Sequence, residues 1–82
     1  MDHPMDELRG LMVSLQQLLH RHQAPPHWGS HMAELARSMG EAEDLKEARG
    51  ILWDARDYLE ARRDEFPPGD MMAEFQAISE EV

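Results

Sequence analysis

Leu45, Ala48, Leu52, Ala55, Leu59, Arg62 and Phe66 follow one another in steps of three and four, the spacing that stacks side chains on one face of an α-helix. A seam of this kind is a partner-seeking surface: its apolar edge must be covered by another helix of the same chain or by another molecule. Three further runs have the same rhythm. Leu8, Met12, Leu15 and Leu19 make the 4-3-4 steps of a second seam, Met32, Leu35, Ala36, Met39 and Ala42 supply a third stripe, and Met71, Phe75, Ile78 and Val82 repeat the 4-3-4 spacing near the end.

Two Pro-Pro pairs divide these runs. Pro25 and Pro26, and again Pro67 and Pro68 followed by Gly69, lack amide hydrogens and mark reversals of the chain. Pro4 suits a first helical turn, Asp2, Asp6 and Glu7 favour the positive end of its dipole, and His20, Arg21 and His22 suit the negative end. The pattern predicts an all-α fold of three segments, a hairpin or bundle with helices over roughly 4–22, 30–65 and 70–81, with residues 23–29 as a loop, Ser30 as N-cap of the second segment and Asp70 as N-cap of the third. Gly40 and Gly50 interrupt the long central helix, and Leu35, Met39 and Ala42 run one residue out of phase with the seam that follows. A bend at either glycine absorbs that slip; a turn near Gly40, with Glu41, Glu43 and Asp44 opening a new helix, is the alternative.

Residues 1–82 are short enough for one small domain and one small core, so oligomerisation or a partner is the expected way to complete it. With no cysteine there is neither a disulfide framework nor a thiolate metal site. The first ten residues carry acids where a signal peptide needs bases, and nothing approaches the roughly 20 apolar residues of a membrane span. A cytoplasmic chain that does not engage membranes is expected. Seventeen acids against eight bases give a formal net charge of −9, a field that repels nucleic acid.

Candidate chemistry is sparse. His20, His22, His27 and His31 cluster around one predicted loop, yet no HExxH pattern or cysteine joins them, and surface histidines are the simpler reading. Glu41 with Asp44, and Asp54 with Asp57, are i,i+3 acidic pairs able in principle to serve acid and base chemistry or to bind Mg²⁺. They loosely resemble the paired acidic motifs of all-helical MazG-type nucleotide pyrophosphohydrolases, although the first glutamate pair of that pattern is missing and the separation is short. Gly50, Ala55, Leu59 and Pro67 fit positions of a tetratricopeptide repeat, but Met39, Ala42, Glu43 and Lys46 occupy its other signature positions, and one partial repeat is not a solenoid. Trp28-Gly29 lacks the middle residue of a WXG hairpin. The tetrapeptide Gly29-Ser30-His31-Met32 has the form left by cleavage of an expression tag. It allows an engineered fusion of residues 1–28 to a helical domain as an alternative to a natural loop and cap.

The sequence therefore predicts a non-enzymatic protein–protein interaction module, of adaptor, chaperone-like or accessory-subunit type, partnered by itself or by another helical protein and needing no cofactor. Leu8, Met12, Leu15, Leu45, Leu52, Trp53, Leu59, Phe66, Met71, Phe75 and Ile78 are its expected interface residues, Trp53 because it stands off the main seam and large aromatics favour contacts. Met71 and Met72 stand out among seven methionines as contact residues, and the segment after the Pro-Pro-Gly hinge as a detachable docking helix. The rival from another class is a metal-binding or Mg²⁺-dependent helical enzyme built on the acidic pairs or the histidines.

Overall fold

A computed structural model describes residues 4–82. Its elements are α1 (Pro4–Arg21), α2 (Pro26–Glu41), α3 (Leu45–Glu60), a single 3₁₀ turn at Arg63–Glu65, and α4 (Met71–Glu81), with no strand among the described residues. The chain is thus all-helical, as its periodicity requires. Asp2, invoked above for the start of α1, lies outside the described residues.

The end of α1 is closed by backbone alone. Gln23 takes φ 53°, and from there its amide donates to His20 O at 3.3 Å while the Ala24 amide donates to Leu19 O at 3.0 Å. This pair of bonds is the Schellman arrangement, which satisfies carbonyls that a helix end leaves open. Glycine would hold that left-handed position without steric cost; glutamine does not.

Two expectations about the next segment are corrected. Helix α2 begins at Pro26, not Ser30, because Pro25 takes the extended angles of an N-cap residue (φ −51°, ψ 136°) and Pro26 occupies a first-turn position where no amide hydrogen is needed. Pro-Pro here starts a helix instead of filling a loop. Gly29-Ser30-His31-Met32 consequently lies inside α2, and Ser30 caps nothing.

The long central helix is also corrected, into α2 and α3 separated by residues 42–44. Ala42 leaves the helix at ψ 134° and its amide donates to Met39 O at 3.1 Å. Asp44 then caps α3, accepting from the Glu47 amide at 2.8 Å, while the Glu47 carboxylate accepts from the Glu43 amide at 3.4 Å. The Asp44 cap gives α3 a defined start, and Glu47 reaches back to the residue before it. Gly40 and Gly50 both remain helical.

After α3, Phe66 turns extended (ψ 140°) ahead of the prolines, and Gly69 adopts φ 124°, open only to glycine. Asp70 precedes α4 without a side-chain cap bond, which corrects its expected role. Its backbone carbonyl serves instead, accepting from the Glu74 amide at 3.0 Å.

Helix α1 packs against α2, α3 and α4, and α2 also packs against α3. Its breadth of contact follows from sequence, since Met12, Leu15, Leu18 and Leu19 give α1 a wide apolar face. Facing them are Met32 and Met39 of α2, Ala48, Leu52, Ala55 and Leu59 of α3, and Met71 and Phe75 of α4, all buried. Trp28, read from sequence as a loop residue, is 1% exposed. Phe66 lies 5.9 Å from its ring centroid and meets Phe75 edge-on at 5.5 Å, so one aromatic row ties α2, the Pro-Pro-Gly segment and α4 together.

Replacing Gln23 by glycine is expected to raise stability by about 1 kcal/mol in urea unfolding, because it removes the left-handed strain while keeping both closing bonds. An unchanged or lowered midpoint would contradict the proposed cap geometry.

Candidate interaction surface on the third helix

Helix α3 has two seams. Ala48, Leu52, Ala55 and Leu59 are completely buried, and they hold one edge of the helix against α1 and α2. On the opposite edge Lys46, Gly50, Trp53, Asp57 and Glu60 run in steps of four and three. Lys46, Trp53, Asp57 and Glu60 are exposed. Trp53 is 42% exposed, and with Val13 at 47% it makes up the exposed large hydrophobics of the described residues.

The surroundings of Trp53 are distinctive. Gly50 lies one turn before it, and a Cβ built there would meet no atom within 4 Å. No packing partner within the chain therefore requires glycine, which weakens a helix interior by roughly 1 kcal/mol relative to alanine. Lys46 and Arg49 form no ion pair among the described residues, whereas Arg56 reaches its neighbour Asp57 at 3.2 Å and Arg63 reaches Glu60 at 2.8 Å. The edge thus presents an exposed indole, an uncovered glycine one turn away, and two cations without ion pairs close by.

At its C-terminal end the helix carries a layered group. The His31 ring of α2 stacks on Tyr58 at 4.1 Å, and the Arg62 guanidinium lies 3.6 Å from the same ring while donating to the Tyr58 carbonyl at 2.9 Å. Cation, phenol and imidazole satisfy one another here. A shallow apolar groove of about 220 Å³ between α1 and α2, lined by Arg9, Met12, Val13, Gln16, Ala36, Met39 and Gly40, is a second place where apolar surface meets solvent. A larger open hollow of about 490 Å³ by Glu7, Gly10, Leu11, Ser14 and Glu81 has no cation in its lining.

Most of the expected interface residues hold the chain's own core. Met12, Leu15, Leu52, Leu59, Met71 and Phe75 are buried, Leu8, Phe66 and Ile78 pack against that core, and Leu45 is half-buried. Trp53 alone of the set is exposed. Met71 is fully buried, while Met72 is half-buried with its sulfur 3.4 Å from Arg63 Nε. The sequence marks Gly50 only as a helix interruption and a repeat position, Lys46 only as a repeat position and Arg49 not at all, none of them as part of a contact edge. The signal was present in the 4-3-4-3 steps opposite the apolar seam, but polar and small residues at that spacing look like any solvated face.

The histidines and carboxylates disperse. His27 and His31 do share α2 at i,i+4, yet His27 is set edge-on to Trp28 at 6.3 Å and His31 on Tyr58. His20 is exposed. Among the described residues no group of three or more histidines, cysteines or carboxylates comes together to hold a metal ion. His22 instead donates from Nε2 to Glu74 Oε2, and Arg21 pairs with Glu74 Oε1 at 2.9 Å. Both ties fasten α4 to the end of α1. The His22 hydrogen bond is the main reason the Glu74 carboxyl sits below its ordinary value of 4.5; partial burial opposes the shift, and the Arg21 charge adds to it.

No protein-family model matches the chain, and comparison with curated proteins and with solved structures finds no significant match. Among the described residues no helix is long and apolar enough to cross a membrane.

A carboxylate whose folded pKa is depressed stabilises the fold above its unfolded pKa, and that contribution is lost as pH falls through the folded value. Stability measured by thermal unfolding should therefore decline as pH drops below about 4.5, and Glu74→Gln should be less stable at neutral pH but lose less on acidification. Parallel pH profiles for the two proteins would rule the α1–α4 tie out as a contributor.

Proposed function

We propose that this chain is a non-enzymatic, helical protein–protein interaction module whose contact surface is the solvent edge of α3 centred on Trp53. The observation that carries this reading is the contrast between the two tryptophans: Trp28 is 1% exposed and Trp53 42% exposed. A large aromatic with one face open to water, next to a glycine and unpaired cations, has the composition of an interface anchor, since tryptophan and arginine dominate binding energies at contacts. Helix-on-helix docking suits the surface, because its residues recur at the spacing by which one helix reads another. The role is to bind through a preformed helix edge, as an adaptor or accessory subunit does. The partner is another helical protein or a second copy of this chain.

The fold and the surface are separable by mutation. Trp28→Ala should destabilise by about 3–5 kcal/mol, the cost of emptying an aromatic core site. Trp53→Ala should cost much less, about 1–2 kcal/mol, because 42% of the residue already lies in water. A photoreactive amino acid at exposed Asp54, beside an intact Trp53, should then give discrete cross-linked species that Trp53→Ala abolishes, while the same group at exposed Ser38 on α2 gives none. Equal cross-linking at both positions, or none at 54, would remove the assignment of the surface to this edge of α3.

A further inference from the structure

We propose that α4 is a strap that leaves α1 as one unit, swinging on Pro67-Pro68-Gly69 while α1, α2 and α3 stay folded, and that Glu74, held by Arg21 and His22, is its latch. The device is independent of the Trp53 edge of α3.

The packing of α4 is one-sided. Helices α1, α2 and α3 each pack against the other two, whereas α4 has one broad contact among the helices, with α1. Its first turns meet the end of α1, where Glu74 reaches Arg21 and His22. Its last turn lies beside the start of α1, where Glu81 lines a hollow with Glu7, Gly10, Leu11 and Ser14. The strap therefore runs antiparallel along α1. On its other flank a cleft of about 230 Å³, lined by Glu60, Arg63, Met72, Phe75, Gln76 and Ser79, separates it from the end of α3.

What holds the strap is concentrated next to the hinge. Met71 and Phe75 are its buried side chains and Glu74 lies between them, so both apolar anchors and the latch fall in the first turn and a half. Ile78 and Val82 beyond them are only half-buried. The far end works against docking. Glu81 shares its hollow with Glu7, like charge beside like charge, and Glu80 and Glu81 have no base with them in the last turn, where the helix dipole disfavours acids. Ser79 Oγ is buried without a hydrogen-bond partner among the described residues. That cost exists only while α4 is docked, because water satisfies the hydroxyl once the helix leaves.

Release stops at the hinge. A helix of 11 residues is marginal in water by itself, so once Met71, Glu74 and Phe75 let go, the last turns have too little contact to keep the rest in place. Pro67 and Pro68 interrupt the helical backbone, and Gly69 at φ 124° gives it a pivot, so no continuous element carries the opening into α3. Phe66 precedes the prolines and still covers Trp28, 5.9 Å away, when Phe75 departs. Opening bares the face of α1 on which Leu11, Ser14, Leu18 and His22 recur in steps of three and four. The chain thus carries its own cover for this face, and the latch sets how often it is open.

Native-state hydrogen exchange of the full chain, read amide by amide by NMR, tests the strap. The amides of residues 74–81 should share one level of protection, at least about tenfold below the best-protected amides of α1 and α3, and denaturant should lower it less steeply, because less surface is exposed. Glu74→Gln should reduce that protection severalfold and by the same factor in the last turn as in the first. Asp44→Ala, which removes the cap of α3, should lower protection in α1 and α3 and leave α4 where it was, because the cap survives the opening of α4. Protection in α4 equal to that of α1 and α3, or falling with theirs in Asp44→Ala, means a helix that opens only when everything does and overturns the proposal. So does protection graded toward Val82 and unmoved there by Glu74→Gln, which is fraying. A uniform α4 indifferent to Glu74→Gln overturns the latch.

Discussion

Burial of Trp28 is the interaction on which most of this fold depends. Its ring sits in the first turns of α2, with Phe66 at 5.9 Å, and Phe66 in turn meets Phe75 at 5.5 Å. A tryptophan contributes more apolar area than any other side chain, and in a chain of 82 residues one such group is a large share of the core. Placing it inside requires α2 to begin early enough to carry it, which the extended Pro25 and helical Pro26 provide. It also requires the segment before α4 to fold back far enough for Phe66 to reach it, which the prolines and Gly69 provide. The two Pro-Pro pairs therefore do different work. One starts a helix under the tryptophan, and the other stops the chain so that an aromatic can close over it.

From that row the remaining helices take their places around α1. Leu15 and Leu18 of α1 are fully buried, as are Leu52 and Leu59 of α3, and α1 touches each of the other helices. Short helices suit this arrangement. Splitting the central segment at residues 42–44 lets α2 present Met32 and Met39 while α3 presents Ala48, Leu52, Ala55 and Leu59, two stripes that are out of phase along a single axis. The Asp44–Glu47 cap supplies backbone partners at the break, so the loss of continuous helix is partly compensated by defined hydrogen bonds.

Helical class and the buried edges of α1, α3 and α4 were legible in the sequence because period and apolarity coincide there: Met12, Leu15, Leu19, Leu52, Leu59, Met71 and Phe75 all lie inside. The start of α2 was not, since Pro-Pro reads equally as a loop or as a cap followed by a first turn, and only burial of Trp28 decides. The break before α3 was written in Asp44-Leu45-Lys46-Glu47, a capping pattern that the turn near Gly40 with Glu41, Glu43 and Asp44 only approximated. Trp53 was recognised as lying off the seam, but whether another helix covered it depended on the positions of α1 and α4. Gly50 read as an interruption but stays helical, and a glycine inside a helical pattern says nothing about the space above it until its neighbours are placed.

At Gly50 helix α3 forgoes stability with no packing contact in return. An alanine there would meet nothing within 4 Å and would strengthen α3, both by adding helix propensity and by restricting the unfolded chain. The isolated fold thus gains nothing from glycine at this position. What glycine leaves there is bare helix backbone one turn from an exposed indole. A helix whose inner seam is closed at Ala48, Leu52, Ala55 and Leu59 can tolerate that loss, because its place in the fold is fixed by burial and not by propensity.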